Sequence, residues 1–159
     1  MPANLTSDQV WNEVEKQMFA VLGTVNRKGQ PRTAGIVYKV KDRHLYIVTG
    51  YSSYKAKNVQ HNSHVSVTVT VDKHIPFLPW VKIPAATITF QGEASLLHVS
   101  ETESRIQTLL LGNLKLDEKI LADLCIIKVK PVGQFITYGI GVPLLTMRDP
   151  EAARGRAPV

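Results

Sequence analysis

The sequence predicts one mainly β domain, an antiparallel barrel with short helices between some of its strands. Its 159 residues, 44% of them hydrophobic, are enough for a single core. About six segments have the composition of strands, and most of them are joined by hairpin turns. The first three strands leave no room for crossover helices, which argues against a parallel sheet.

Residues 1–17 contain a short amphipathic helix. Thr6, Ser7 and Asp8 can each cap its first turn. The apolar residues that follow recur at helical spacing, so we expect them to share one buried face: Val10, Trp11, Val14 and Met18.

Two hairpins follow the helix. The first joins FAVLGTVN to RTAGIVYKV through a turn that contains Gly29 and Pro31. In the second, KDRH turns the chain into LYIVTG. After a short helix predicted at YKAKNVQHN, the segment HVSVTVTVD alternates valine with serine and threonine. That period of two is typical of a strand with one buried face.

The second half of the chain mixes strands with short helices. Residues 72–84 combine prolines with large apolar side chains, which predicts an apolar loop rather than a central strand. ATITFQGEASLLHV resumes the sheet, with Gly92 as a bulge or bend. Ser100 and Glu103 have capping-box spacing for a helix in SETESRIQTLLLGN, and DEKILADL predicts another helical turn or two. CIIKVKPVGQFITYGIGV is predicted as one or two strands, and residues 142–159 as a polar, exposed tail.

The composition argues against several classes of function. Cys125 is the only cysteine, which excludes an internal disulfide and a cysteine-rich zinc site and favours a small buried side chain. The histidines lack the partners that would complete a metal-ligand pattern, so we predict no metal site. No segment has the length of a membrane helix or the pattern of a signal peptide. We therefore expect a cytoplasmic protein that binds no membrane.

The net charge of +6 favours an acidic partner, since 19 Lys and Arg face 13 Asp and Glu. The basic residues are scattered, and no predicted strand interleaves aromatic and basic residues on an exposed face. Nucleic acid is therefore not a predicted partner. The sequence also lacks a dinucleotide-binding glycine fingerprint, a Walker phosphate loop and a nucleophile elbow.

The segment LYIVTGYSSYKAKNV places hydroxyls and lysines where a strand gives way to a helix. Ser52 or Ser53 can cap that helix and leave backbone N–H groups at its positive end free for a phosphate. Lys55 and Lys57 would add charge-assisted hydrogen bonds. A capped helix whose lysines simply face water has the same spacing, so the pattern alone leaves both interpretations open.

A longer stretch of sequence resembles a known family. The segments GTVNRKGQPRTAGIVYKV, LYIVTGYSSYKAKNVQHNSHVSVTV and ITFQGEASLL occur in the order typical of the flavin-binding split barrels related to pyridoxamine 5'-phosphate oxidase. The resemblance covers roughly residues 10–130. It implies a six-stranded antiparallel Greek-key split barrel over residues 1–159. It also implies a homodimer that holds FMN at its subunit interface, and an oxidoreductase acting on a small molecule.

Residue by residue, the resemblance implies coenzyme contacts on the second strand and at the end of the third: Ala34, Gly35, Ile36, Val37, Lys39, Val48 and Thr49. Ser53, Tyr54 and Lys55 match the family's Ser-Arg-Lys phosphate triplet. Thr87 falls where the family often places a polar contact to the ring from the facing subunit.

The chain departs from the family pattern at two cationic positions. Ala34 stands where a basic residue usually holds the phosphate, and Tyr54 replaces the arginine of the triplet. Arg32 and Lys57 are the candidates to compensate. The ending that recognises pyridoxal phosphate in the true oxidase has no counterpart in RDPEAARGRAPV, so we do not predict oxidation of pyridoxamine phosphate.

Two alternatives remain open at this point. A deazaflavin coenzyme could replace FMN on the same fold, or the protein could bind flavin, haem or an apolar ligand without turnover, with His61 or His64 as a conceivable haem ligand. The apolar loop could cover a substrate or, as we favour, pack in the dimer interface through Ile75, Phe77, Leu78 and Trp80.

Overall fold

The computed structural model describes residues 3–75, 77, 80, 83–112 and 116–159. The strands are β1 (Ala3–Asn4), β2 (Phe19–Val25), β3 (Pro31–Val37), β4 (Lys39–Lys41), β5 (His44–Gly50), β6 (His64–Val71), β7 (Ala86–His98), β8 (Leu124–Tyr138) and β9 (Arg154–Pro158). The α-helices are α1 (Ser7–Lys16), α2 (Tyr54–His61), α3 (Ser104–Leu111), α4 (Glu118–Asp123) and α5 (Pro150–Ala153).

These strands form one curled, mainly antiparallel sheet. Its order is β1-β9-β8-β7-β6-β2-β3, and β5 joins β8 to β4. Only the pairing of β1 with β9 is parallel among the described strands. The predicted mainly β antiparallel fold with short helices is therefore confirmed. The count of six strands is wrong, because seven described strands have five or more residues and two more are shorter.

The length of β8 explains much of the added pairing. One of its edges pairs with β7, and the other pairs first with β5 and then with β9. Residues 124–129 face β5, whereas residues 134–138 face β9. A strand of 15 residues thus serves two partners on one side.

The prediction that residues 142–159 form a polar, exposed tail is wrong. Its last segment forms β9, in which exposed and buried side chains alternate. Ala153 and Ala157 belong to the main core, while Arg154 and Arg156 face solvent. The sequence pattern that would predict β9 is weak, because small residues occupy its buried positions, where strands more often carry Val or Ile.

Helix α1 forms as predicted and packs on the inner face of the sheet. Thr6 caps it, and a reciprocal bond from the Thr6 amide to Gln9 completes a capping box. Val10, Trp11 and Val14 are buried, and the Trp11 ring meets Phe135 edge-on at 5.4 Å between centroids. Met18 was expected on this buried face, but it lies beyond the helix and is 60% exposed.

A second, smaller core lies under α3 and α4. It is built around Tyr46, Val99, Ile106 and Ile126. Ser100 does not cap α3 as predicted, because residues 99–101 form a 3-10 turn and the helix begins at Ser104. The Thr102 hydroxyl donates to the His98 carbonyl oxygen at 2.8 Å and stabilises that turn.

Gly92 is also placed differently from its predicted role. The irregularity in the pairing of β7 with β8 falls between Thr89 and Gln91, and Gly92 itself pairs normally with Val65 and Pro131. A Cβ at Gly92 would lie 2.6 Å from a methyl of Val129. Glycine is therefore required there by close packing and not by a bulge.

The core position of β9 can be tested with a pair of neighbouring substitutions. Ala157→Asp should lower the free energy of unfolding by at least about 2 kcal/mol, because it buries a carboxylate with no designed partner. Arg156→Asp, on the exposed face, should change it by less than about 0.5 kcal/mol. Urea unfolding followed by circular dichroism measures both. Equal, small effects would show that residues 154–158 are a tail after all.

Candidate functional site

The curled sheet is interrupted between β3 and β5. Within the described residues β3 pairs only with β2, while β4, separated from β3 by Tyr38 alone, pairs with β5. If the β4–β5 register continued, Val37 would pair with Val48 and Ile36 with Thr49, but β3 and β5 are not hydrogen-bonded to each other. The two strands still contact each other. We call this gap the split; along it, β3 presents a strand edge.

The predicted residues on β3 alternate between the two faces of the sheet. Ala34 and Ile36 pair with the buried Leu22 and Ala20, and Ile36 is itself in the core. Ile36 can therefore meet a ligand in the split only through its backbone. Other predicted residues remain exposed: Gly35 and Val37 on the outer face, Lys39 on β4, and Arg32, which shares the face of Ala34.

The predicted residues on β5 form the opposite side of the split. Val48 is half-buried against the second core. Thr49 is buried, and its hydroxyl donates to the Ser53 oxygen at 3.2 Å. The Ser53 oxygen also accepts from the Ala56 amide at 3.3 Å, so Ser53 caps α2 as predicted.

Two backbone N–H groups at the start of α2 are free to donate hydrogen bonds. They lie at the end of the split where β5 leads into α2. The amides of Tyr54 and Lys55 have no hydrogen-bond acceptor among the described residues. They carry the partial positive charge of a helix N-terminus. No acidic residue lies in the first turn of α2. This end of the split can therefore accept an anion.

A buried hydrogen-bond chain fixes α2 against β2 and β3. Asn58 donates from Nδ2 to Thr24 Oγ1 at 3.0 Å, and the Thr24 hydroxyl lies 3.4 Å from the Arg32 carbonyl oxygen. Asn58 and Thr24 are both more than 90% buried. Sequence reasoning missed Asn58, because its position between Ala56 and Val59 gives no sign that the amide has a tertiary partner.

Lys55 and Lys57 point to different sides of α2. Two residues along a helix are separated by about 200° around its axis. Lys55 is half-buried and close enough to Cys125 to act on its thiol, whereas Lys57 is exposed. Lys57 and Tyr54 line a cavity of about 650 Å³ between α2 and the β2–β3 turn. We call it the hairpin pocket; its lining is Asn26, Arg27, Lys28, Tyr54, Lys57, Asn58, Gln60 and His61.

Thr87 does not reach the split of its own chain. It lies half-exposed on the outer face of β7, opposite Thr70 and Tyr138. Strands β2 and β6 separate β7 from β3 in the sheet. A contact from Thr87 to a ligand in the split would therefore have to come from a second copy of the chain, as the resemblance implies.

The apolar loop exposes its aromatic residues. Phe77 is 95% exposed and Trp80 is 72% exposed, so neither packs on the core of its own chain. Ile75 is half-buried. Leu78, which we also assigned to this loop, lies outside the described residues. Whether the loop serves a dimer interface or a substrate stays a prediction.

Among the residues that the structure describes, the remaining thiol and imidazole groups are not gathered into a second centre. Burial raises the pKa of the Cys125 thiol, and the positive charge of Lys55 opposes that rise without overcoming it. Within the described part of the chain, no three His, Cys, Asp or Glu side chains are grouped to hold a metal ion. His61 and His64 are both exposed. None of the helices described in the structure is long and apolar enough to cross a membrane.

Comparison with protein families gives one clear match. A family model described as pyridoxamine 5'-phosphate oxidase matches residues 6–134. No curated protein matches the chain. The matched residues include the split, α2 and both walls of the hairpin pocket.

Solved structures with the same fold include proteins of different kinds. An F420 reductase is 20% identical over 78% of this chain and 93% of its own, with a TM-score of 0.56. The heme storage protein HutZ from Vibrio cholerae is 17% identical over 87% and 98%, with a TM-score of 0.61. General Stress Protein 26 from Bacillus anthracis is 19% identical over 82% and 90%, with a TM-score of 0.54. At these identities the similarities establish the fold alone.

The burial of Cys125 predicts its chemical behaviour. At pH 8 we expect iodoacetamide to leave the native protein unmodified, because the thiol is 0% exposed and its raised pKa keeps it protonated. Protein unfolded in guanidinium should be alkylated at once, which serves as the control. Mass spectrometry of both samples measures the result, and rapid labelling of the native protein would contradict this description of the site.

Proposed function

Because the chain belongs to the pyridoxamine 5'-phosphate oxidase family, we propose that it is an FMN-dependent oxidoreductase whose coenzyme lies in the split. The observation that carries the proposal is the edge of β3. Its backbone groups that point away from β2 have no strand partner among the described residues. A flavin ring presents donors and acceptors along one edge, and it can satisfy such groups while leaving a ring face open.

The end of the split next to the N-terminus of α2 suits the phosphate of FMN. The Tyr54 and Lys55 amides, the Ser53 hydroxyl and the Lys55 ammonium lie at one helix terminus. Arg32 makes no ion pair with an acidic side chain in the described ranges, so its guanidinium is free to turn toward an anion. This set replaces the two cations that Ala34 and Tyr54 do not supply. It binds phosphate with amides and one close lysine rather than with an arginine pair.

When bound, FMN supplies the hydride and electron transfer. The chain's own residues bind and orient the ring, and the inward-facing Ile36 and buried Thr49 keep water from one side of the split. This arrangement requires few catalytic side chains, because the coenzyme carries out the chemistry. The substrate we propose is a small molecule that stacks on the open ring face.

We also propose that a second copy of the chain completes the site. Strands β2, β3 and β8 expose large apolar side chains on the outer face of the sheet: Phe19 at 50%, Val37 at 63% and Ile136 at 47% exposed. Between them lies a band of hydroxyls, of which Thr68 and Thr89 are 3.2 Å apart. Covering this face would bury the apolar side chains and bring Thr87 of the second copy toward the coenzyme.

A deazaflavin coenzyme is the second candidate. The absence of cations at positions 34 and 54 favours it, because a coenzyme that spreads its charge over an acidic tail depends less on one phosphate clamp. The structural similarity to an F420 reductase agrees with this alternative. The absorbance spectrum and mass of the chromophore that copurifies with the protein separate FMN from deazaflavin, since their visible spectra differ.

Haem binding without turnover has less support. The similar Vibrio cholerae protein is a heme storage protein, but the cavity that His64 lines here, beside Val65 and Val132, has a volume of only about 340 Å³. His61 lines the polar hairpin pocket, and His64 Nδ1 lies 3.2 Å from Asn62 Oδ1 on the surface. A Soret band in the purified protein would reverse this judgement.

The proposed phosphate-binding site at the N-terminus of α2 can be tested by substituting Lys55. We expect Lys55→Ala to weaken FMN binding at least about tenfold, because one charge-assisted hydrogen bond contributes about 1.5–3 kcal/mol. Titration of apo-protein with FMN, followed by quenching of flavin fluorescence, measures the dissociation constant.

Two controls accompany Lys55→Ala. Lys55→Arg keeps the charge and should bind FMN within about threefold of the wild type, a difference of less than about 1 kcal/mol. Lys119→Ala removes a helix lysine far along the chain, on α4, that is more exposed than Lys55, and it should change nothing. If Lys55→Ala binds FMN as tightly as the wild type, the coenzyme's phosphate does not lie at this helix terminus.

The proposed dimer can be tested on the same face. We expect Val37→Asp to yield a monomer, because it places a charge among the apolar side chains of the proposed contact. Leu145→Asp alters a residue that is 75% exposed but belongs to the 3-10 turn Leu144–Arg148 and not to the strands β2, β3 and β8, so it should leave the dimer intact. Analytical ultracentrifugation measures both. Identical sedimentation of the two variants would place the subunit contact elsewhere.

A further inference from the structure

We propose that the hairpin pocket binds a nucleotide with two or more phosphates, at a site separate from the coenzyme in the split. The lining of the pocket contains no residue of β3 or β5. It therefore lies on the flank of α2 that carries Lys57, turned about 200° from the side that carries Lys55. The proposal does not depend on which coenzyme occupies the split.

The charges that line the pocket have one sign. Arg27, Lys28 and Lys57 contribute three cations, and His61 adds an imidazole. None of the lining residues is acidic, and within the described ranges none of the three cations forms an ion pair. Such a cluster attracts a ligand with several negative charges more strongly than a monoanion.

Both walls of the pocket are held in place by hydrogen bonds. In the β2–β3 turn, Asn26 Oδ1 accepts from the amides of Lys28 at 2.9 Å and Gln30 at 3.0 Å. Gly29 takes a φ of +74°, which a larger residue would adopt only under strain. On the other wall, Asn58 is anchored to Thr24 at 3.0 Å. A pocket with fixed walls loses little conformational entropy when it binds a ligand.

An aromatic ring distinguishes a nucleotide from a simple polyphosphate. Tyr54 lines the pocket and is 84% exposed, so a base can stack on its ring while phosphates meet Arg27 and Lys57. The volume of about 650 Å³ lies within the range of small-molecule sites. Gln60 adds an amide that can donate to or accept from the base or the sugar.

The test is calorimetric titration of the full-length protein with ADP and with pyrophosphate, each with and without saturating FMN. We expect ADP to bind in both conditions with dissociation constants that agree within about threefold, because solvent and salt screen the interaction between anions on opposite flanks of α2. Arg27→Ala combined with Lys57→Ala should weaken ADP at least about tenfold, whereas Lys119→Ala should have no effect. Tyr54→Ala should weaken ADP but leave pyrophosphate unchanged, because it removes stacking and not charge.

Several results would overturn the proposal. Failure of ADP to bind would do so, as would loss of ADP binding when FMN is added, since competition would make the pocket part of the coenzyme site. An equal effect of Lys119→Ala would show that only net charge matters. A single-stranded oligonucleotide that binds much more tightly than ADP would identify a nucleic-acid surface instead. Lys57→Arg keeps the charge and should bind ADP like the wild type, so a loss there would also contradict the proposal.

Discussion

The candidate site depends on the way in which Tyr38 divides one stretch of chain between two partners. Residues before it pair with β2, and residues after it pair with β5. The Tyr38 side chain is 1% exposed, and its hydroxyl donates to the Val14 carbonyl oxygen at 2.7 Å. Burial raises the pKa of Tyr38, so the hydroxyl stays a donor at physiological pH. Because α1 holds this residue, the strand cannot slide to close the split.

An open strand edge inside a folded domain costs free energy unless its backbone groups are hydrogen-bonded. Water can satisfy them, and so can a planar ligand with donors and acceptors along one side. The same sheet therefore contains both the pairing that stabilises the fold and the interruption that leaves room for a coenzyme. The hydrogen bonds from Thr49 to Ser53 and from Asn58 to Thr24 fix α2 at the end of that interruption.

Local patterns in the sequence predicted most elements, and they failed where tertiary contacts decide. The alternation in β6 and the caps at Thr6 and Ser53 follow from adjacent residues, and the structure has them. The burial of Ala157 depends on pairing with Phe135, far along the chain, so alanine and glycine at the buried positions gave no signal. Ser100 had the right spacing for a cap, but it lies inside the 3-10 turn formed by residues 99–101, which precedes α3. Gly92 matched a bulge in sequence and proved to be a point of close packing.

The site was less predictable than the fold, because its parts meet only in three dimensions. The resemblance named residues on β3 and β5, but only the continued β4–β5 register shows that Val37 lies across from Val48 without pairing. Lys55 and Lys57 looked equivalent in sequence, yet helix geometry sends them to opposite flanks of α2. With Arg27 and Lys28 nearby and no acid in the first turn, these cations repel one another in the free protein. Anions bound on either flank would relieve that repulsion. Ligand binding and the stability of this end of the domain are therefore physically linked.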